Sequence, residues 1–267
     1  MFPNKIAGKT VVGLVLTFWV LSCATTGPGG KKSVILISES DELSIGQKMD
    51  AQIRTEKPIV TDRTINDYVN RTGQKIARLS DRPNLQWHYT VVDAKDVNAF
   101  AVPGGYVYVY TGLLRQLDSQ AQLAGVLAHE TSHVVERHSV KQIQEGMGAQ
   151  VLASLIFGGS GQATQAAVGV GLALVQRGYS RKMEEEADYD GVIYMARAGY
   201  NPEGMAQVMD KLAKLSSSGE GFWENLASDH PPAAKRAEAV RAQIKSQGLD
   251  ANLPYDPEPY RTVRSRL

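Results

Sequence analysis

Hydrophobic and polar positions change period twice along the chain. "SDELSIGQKMDAQIRTE" (40–56) opens with Ser and Asp ahead of Glu42 and spaces Leu43, Ile45, Met49 and Ile53 as one helical face. "TDRTINDYVNRTGQKIARLS" (61–80) repeats the pattern with Ile65, Tyr68, Val69, Ile76 and Leu79. The period then shortens. "LQWHYTVVD" (85–93) and "GGYVYVYTG" (104–112) are rich in β-branched and aromatic residues and read as strands. Between them "NAFAVPGG" (98–105) is extended and ends in a turn at Pro103, Gly104 and Gly105. From Gly112 onward the helical period returns, over 112–117, 119–144, a small-residue segment 148–177, 180–199, 202–217 and 231–247. Helices, a small antiparallel sheet and more helices predict a mostly helical α+β domain.

Residues 146–176 carry no charge over 31 positions, but "GGSGQ" (158–162) splits them into two arms. That pattern predicts a helical hairpin or flap over the site, too interrupted for a membrane span.

The first residues follow a different logic. Lys5 and Lys9 precede an apolar run from Val11 to Leu21, the layout of an export signal over residues 1–22. "VLSC" resembles the lipobox of bacterial lipoproteins, which implies acylation of Cys23. Ala24 after it resembles Gram-negative sorting signals for the outer membrane. Cys23 is also the only cysteine, so an intramolecular disulfide is impossible. "ATTGPGGKK" (24–32) is a tether of flexible composition. The expected organisation is a leader (1–22), a lipid-anchored tether (23–38) and one domain (39–267).

Composition narrows the function only by exclusion. With 29 basic and 28 acidic side chains in 267 residues, there is no electrostatic footprint for nucleic acid.

The chemistry concentrates in "VLAHETSHVVERH" (126–138). His129 and His133, four apart on a helix, can offer imidazoles to one ion, and Glu130 sits one step round as a base for water. A hydrolytic zinc site needs a third protein ligand and one open position. "SRKMEEEADYDG" (180–191) supplies the acids, with Glu184 and Asp188 sharing a face. Spacing alone does not choose Glu184 over Glu185. Glu185 and Glu186 read as a solvated face, and Arg181 as a partner for an acid near the site. His88 and His138 read as structural. His230, held before Pro231 and Pro232, is a candidate to stabilise the transition state or to latch the open position.

"HETSH" followed by "SRKMEEEAD" resembles the HtpX and CAAX-prenyl-protease family of zinc metalloproteases, with its HExxH and downstream ExxxD. "LSIGQKM" (43–49), "NAFAVPGGYVYVYTGLL" (98–114), "QLAGVLAHETSHVVERH" (122–138) and "SDHPPAAKR" (228–236) resemble family blocks in order. The nearest likeness is to the family's periplasmic lipoprotein branch. The resemblance implies a zincin-like fold with the sheet over the active helix, and one zinc per chain on His129, His133 and Glu184. It makes Asp188 the carboxylate that orients a ligand histidine. It makes "NAFA" an edge strand on which Asn98, Ala99 and Phe100 would receive an extended peptide. The expected reaction is peptide hydrolysis with Glu130 as general base, acting on misfolded or unassembled envelope proteins. The rival expectation is a zinc-bound assembly factor with little proteolysis, whose catalytic residues would look the same.

Overall fold

The computed structural model describes residues 23–26, 31–158, 161–175, 177–217 and 233–267. The expected export signal (1–22) and His230 lie outside the described residues. Within the expected tether, β1 (Cys23–Thr26) pairs antiparallel with β2 (Lys31–Val34). Helix α1 (Glu39–Glu56) starts at Ser38, whose hydroxyl accepts from the Asp41 amide. Helix α2 (Arg63–Ala77) starts at Asp62, which accepts from the Thr64 and Ile65 amides. These caps satisfy amides that the first helical turn leaves without partners. Ile45, Met49 and Ile53 are buried, whereas Leu43 and Leu79 of the expected apolar faces are exposed, Leu79 because α2 ends at Ala77.

The strands are β3 (His88–Val92), β4 (Ala99–Val102) and β5 (Tyr106–Tyr110), in the order β3-β5-β4. The β4–β5 hairpin is antiparallel and turns through Gly104 and Gly105, both at positive φ, which favours residues without a Cβ. β3, however, runs parallel to β5. The sheet is therefore mixed and not antiparallel throughout. The chain steps over the place of β5 between β3 and β4, then returns to fill it.

Both faces of this sheet are covered, which is why its strands are almost wholly buried. Tyr89, Val91, Ala99, Ala101, Val107 and Val109 pack with α2 and with α4 (Gln120–Val135). Val92, Phe100, Val102, Tyr108 and Tyr110 pack on the other face, with α1, α5 (His138–Gly146) and α7 (Gly161–Val175). Helix α3 (Thr111–Gln116) links the sheet to α4, and α6 (Ala149–Gly158) forms a hairpin with α7. The described residues thus form the helical hairpin of the two alternatives, and it packs on α1, α5 and the sheet face away from α4, building a second core and not a flap over the site. Helices α8 (Arg181–Arg197) and α9 (Glu203–Ser217) pack on α4. Helix α10 (Ala233–Ser246) lies on α8 and α9, and α11 (Arg261–Arg264) on α2. Among the described residues no helix is long and apolar enough to cross a membrane.

The expected helix over 119–144 is broken. α4 ends at Val135, and Arg137 adopts a left-handed conformation with φ of 54°. Such a backbone costs a residue with a Cβ about 1–2 kcal/mol. Its guanidinium offsets that cost by donating to Glu42 Oε2 at 2.6 Å and to the Ile37 carbonyl at 2.8 Å. Glu42 is fully buried and also accepts from Arg82 at 2.7 Å.

Candidate metal centre

Helix α4 is capped by Ser119 and buried along its whole length, so His129, Glu130 and His133 sit inside the protein. Helix α8 crosses it closely at Gly191, where a Cβ would lie 3.2 Å from the Ala128 carbonyl carbon. This approach brings Glu184, in the first turn of α8, to both histidines. His129 Nε2 and His133 Nε2 are 3.0 Å apart, and Glu184 oxygens lie 3.5 Å from the first and 3.4 Å from the second. Metal–ligand bonds of about 2.0–2.2 Å would set neighbouring donors of a tetrahedron about 3.3–3.6 Å apart. The histidine separation comes within about 0.3 Å of that range, each histidine lies within it of a different Glu184 oxygen, and two imidazoles with one carboxylate suit a divalent first-row metal. The residues present therefore fit a metal ion, with these three as its holders.

The surrounding groups set the histidine tautomers. Asp188, one turn after Glu184, lies 2.9 Å from His129 Nδ1. Burial alone would raise the Asp188 pKa, but Arg236 and His129 together hold it below the ordinary value. An ionised Asp188 makes His129 Nδ1 the protonated nitrogen and leaves the Nε2 lone pair facing Glu184 and His133. Burial pushes the His133 pKa well below normal against the pull of Glu184, which keeps that ring neutral and able to ligate. Tyr179 stacks on His133, with ring centroids 3.8 Å apart, and hydrogen-bonds Ser139 through its hydroxyl at 2.7 Å.

Arg236, on α10, is the residue the sequence reasoning missed. It grips Asp188 with two bonds of 2.7 Å and reaches Glu184 Oε2 at 2.6 Å. Burial works against its charge, but the two carboxylates outweigh it and raise its pKa. Arg181, expected near the acids, is exposed at the start of α8. The sequence signal is faint: Arg236 closes the block "SDHPPAAKR", with no spacing that ties it to the acids of α8.

Further expectations are corrected. Glu186 is buried, not solvated, whereas His138, fully buried beside His133, is in keeping with its structural reading. Phe100 turns away from the metal centre and stacks on Tyr108 at 4.8 Å. The Asn98 carbonyl accepts from the Tyr110 amide at 2.9 Å, so that group faces β5 and not a substrate. By the alternation of an antiparallel ladder, the outward backbone groups on β4 belong to Ala99 and Ala101. Ala99 also lines a recess of about 50 Å³ with His129, Glu130 and Arg236, otherwise walled by apolar side chains including Leu113, Val126, Met205 and Met209.

Comparison with known proteins agrees with this geometry. The chain is 28% identical over 249 residues to the beta-barrel assembly-enhancing protease of Escherichia coli K12, covering 90% of this chain and 51% of that one. It is 33% identical over 192 residues to the mitochondrial metalloendopeptidase OMA1 of Schizosaccharomyces pombe, covering 68% and 56%. It is 34% identical over 166 residues to the metalloprotease LoiP of E. coli K12, covering 61% and 64%. The chain thus spans between about half and two thirds of the length of these relatives. The sequence model described as Peptidase family M48 matches residues 64–244, and with most of the chain inside that match the protein belongs to peptidase family M48.

Proposed function

We propose that the chain is a zinc-dependent endopeptidase of a bacterial envelope, held to the outer membrane through an acylated Cys23 and acting on misfolded or unassembled proteins there. The convergence of His129, His133 and Glu184 to within 3.5 Å, with Glu130 beside them, carries the reading. The lipobox-like "VLSC" supports the location. Relatives named as a beta-barrel assembly-enhancing protease and as metalloendopeptidases support proteolysis and its place.

Zinc supplies Lewis acidity when bound, polarising a carbonyl and making water nucleophilic near neutral pH. The protein's own residues do the rest. Glu130 takes the proton from the attacking water and returns it to the leaving amine. Asp188 keeps the His129 proton on Nδ1, and Arg236 fixes both acids of α8. An extended substrate pairs with the outward backbone of β4 at Ala99, because the Ala101 carbonyl already accepts from Ser139 and Tyr179. A small apolar side chain enters the recess beside Glu130, and a larger one requires Met205 and Met209 to change rotamer.

Zinc content and cleavage of an unfolded protein, measured for the native chain and for Glu130→Gln, test the proposal. Both proteins should hold one zinc, with cleavage about 10²–10⁴-fold slower in the variant. Unchanged cleavage would remove Glu130 as the base, and absence of zinc would remove the metal site. Envelope assembly restored equally well by Glu130→Gln would favour the assembly-factor reading.

A further inference from the structure

Behind His133 lies a chain of buried polar groups that the proposed reaction does not use. His133 Nδ1 is 2.8 Å from His138 Nδ1, and His138 Nε2 is 3.1 Å from Glu186 Oε2. His138 is fully buried, and Glu186 is nine-tenths buried. The same residues with Glu136 also form a compact group that could hold an ion of its own. The two roles make opposite demands on one proton.

If His133 ligates through Nε2, its proton lies on Nδ1 and is donated to His138 Nδ1. His138 must then carry its own proton on Nε2, where Glu186 accepts it at 3.1 Å. Every donor meets an acceptor. An ion on His138 Nε2 would reverse this order. His138 would donate from Nδ1, and His133 would keep its proton on Nε2, facing His129 and Glu184. That lone pair would be lost to the metal centre.

We propose that His138 and Glu186 are positioning residues for the metal centre, a relay that fixes the ligating tautomer and ring plane of His133, and that Glu136, His138 and Glu186 are not a second metal site. The proposal rests on the reading of His129, His133 and Glu184 as ligands. It gives the second ligand histidine a hydrogen-bonded support equivalent to the Asp188 and Arg236 support of the first. Partners of this kind typically contribute 10–100-fold to metal affinity.

Zinc affinity by chelator competition, in full-length protein carrying Glu130→Gln to prevent self-cleavage, tests the relay. His138→Phe fills the space but accepts no proton, and it should weaken zinc about 10–100-fold. His138→Asn places an amide oxygen near the position of Nδ1 and should restore affinity to within about threefold of the parent, an outcome packing alone would not give. Glu186→Ala should also weaken zinc while leaving both rings in place, and it serves if His138→Phe does not fold. Thermal unfolding of each variant in chelator reports any loss of packing separately from metal binding. Parent-like affinity in both His138→Phe and Glu186→Ala would overturn the relay, as would a second tightly bound zinc in the parent. A parent that binds no zinc would overturn the metal centre itself, and the relay with it.

Discussion

Replacing Arg236 by Met separates the structural work of the acids on α8 from their work on a metal. The guanidinium makes two 2.7 Å bonds to Asp188 and one of 2.6 Å to Glu184, and all three side chains are at most 12% exposed. Removing one partner from a buried charge cluster costs about 3–5 kcal/mol, because the remaining charges lose their counter-ion without regaining water. At about 2–4 °C per kcal/mol for a domain of this size, the metal-free variant should melt about 6–20 °C below the parent. Saturating zinc should narrow that gap, since the ion would replace Arg236 as the counter-charge of Glu184. Thermal unfolding in chelator and in excess zinc measures both quantities. The pH dependence has a definite sign. Asp188 has a folded pKa below its unfolded value of 3.8, so its contribution is complete above that value and is lost as pH falls through the folded pKa. In the metal-free parent the Asp188 contribution should thus persist from neutral pH downward and be lost only below about pH 4, whereas without Arg236 burial favours the neutral acid and the gap begins to close at higher pH. A metal-free shift under about 2 °C, or a gap of the same size with and without zinc, would refute the account of Arg236 as shared counter-ion.

Two other substitutions test distinct parts of the fold. Glu42→Gln leaves Arg82 and Arg137 facing a neutral amide in a fully buried place, and should cost about 3–5 kcal/mol in denaturant unfolding. A loss below about 1 kcal/mol would show that the cluster is not a stabilising anchor. Ala99→Pro removes the outward amide of β4 while leaving the pairing of Phe100 and Val102 with β5, which is tolerated on an edge strand. Cleavage of an unfolded protein should fall at least about tenfold at unchanged zinc content, and undiminished cleavage would argue against strand addition at this edge.

What the sequence disclosed follows a physical division. His129 with His133, and Glu184 with Asp188, share faces because one helix sets their spacing, and a four-residue interval is visible without any tertiary information. Arg236 reaches the same acids from a helix 48 residues further on, and no periodicity announces that closure. Arg181 was a neighbour in sequence only, because the start of α8 turns it to solvent. Glu186 diverges from Glu184 by about 200° around α8, and a helix buried on one face would have left it in water. It is buried because α5 covers that second face with His138. The mixed sheet is hidden from the sequence for a similar reason. The glycines of the β4–β5 turn were legible, whereas the place of β3 beside β5 is fixed by contacts outside the hairpin.

The broken helix connects these points. On an unbroken helix His138 would sit about 140° round from His133 and about 7.5 Å along the axis, with no means of touching it. The 2.8 Å approach of their Nδ1 atoms exists only because Arg137 turns left-handed and α5 folds back. Arg137 is a poor residue for that conformation by itself, so periodicity had every reason to continue through it. What holds the turn is Glu42, 95 residues earlier, buried in the first helix of the domain and shared with Arg82. Glu42 is thus tied to the metal centre by a sequence of direct contacts, from carboxylate to guanidinium to the turn that aims His138 at His133. It follows that Glu42→Gln should weaken zinc binding as well as the fold, through His133 and not through His129, whose support comes from Asp188 on α8. Combined with His138→Phe, Glu42→Gln should therefore lower zinc affinity no further than His138→Phe does alone, because both act on the same ring. Combined with Asp188→Asn, its effect on affinity should add in full.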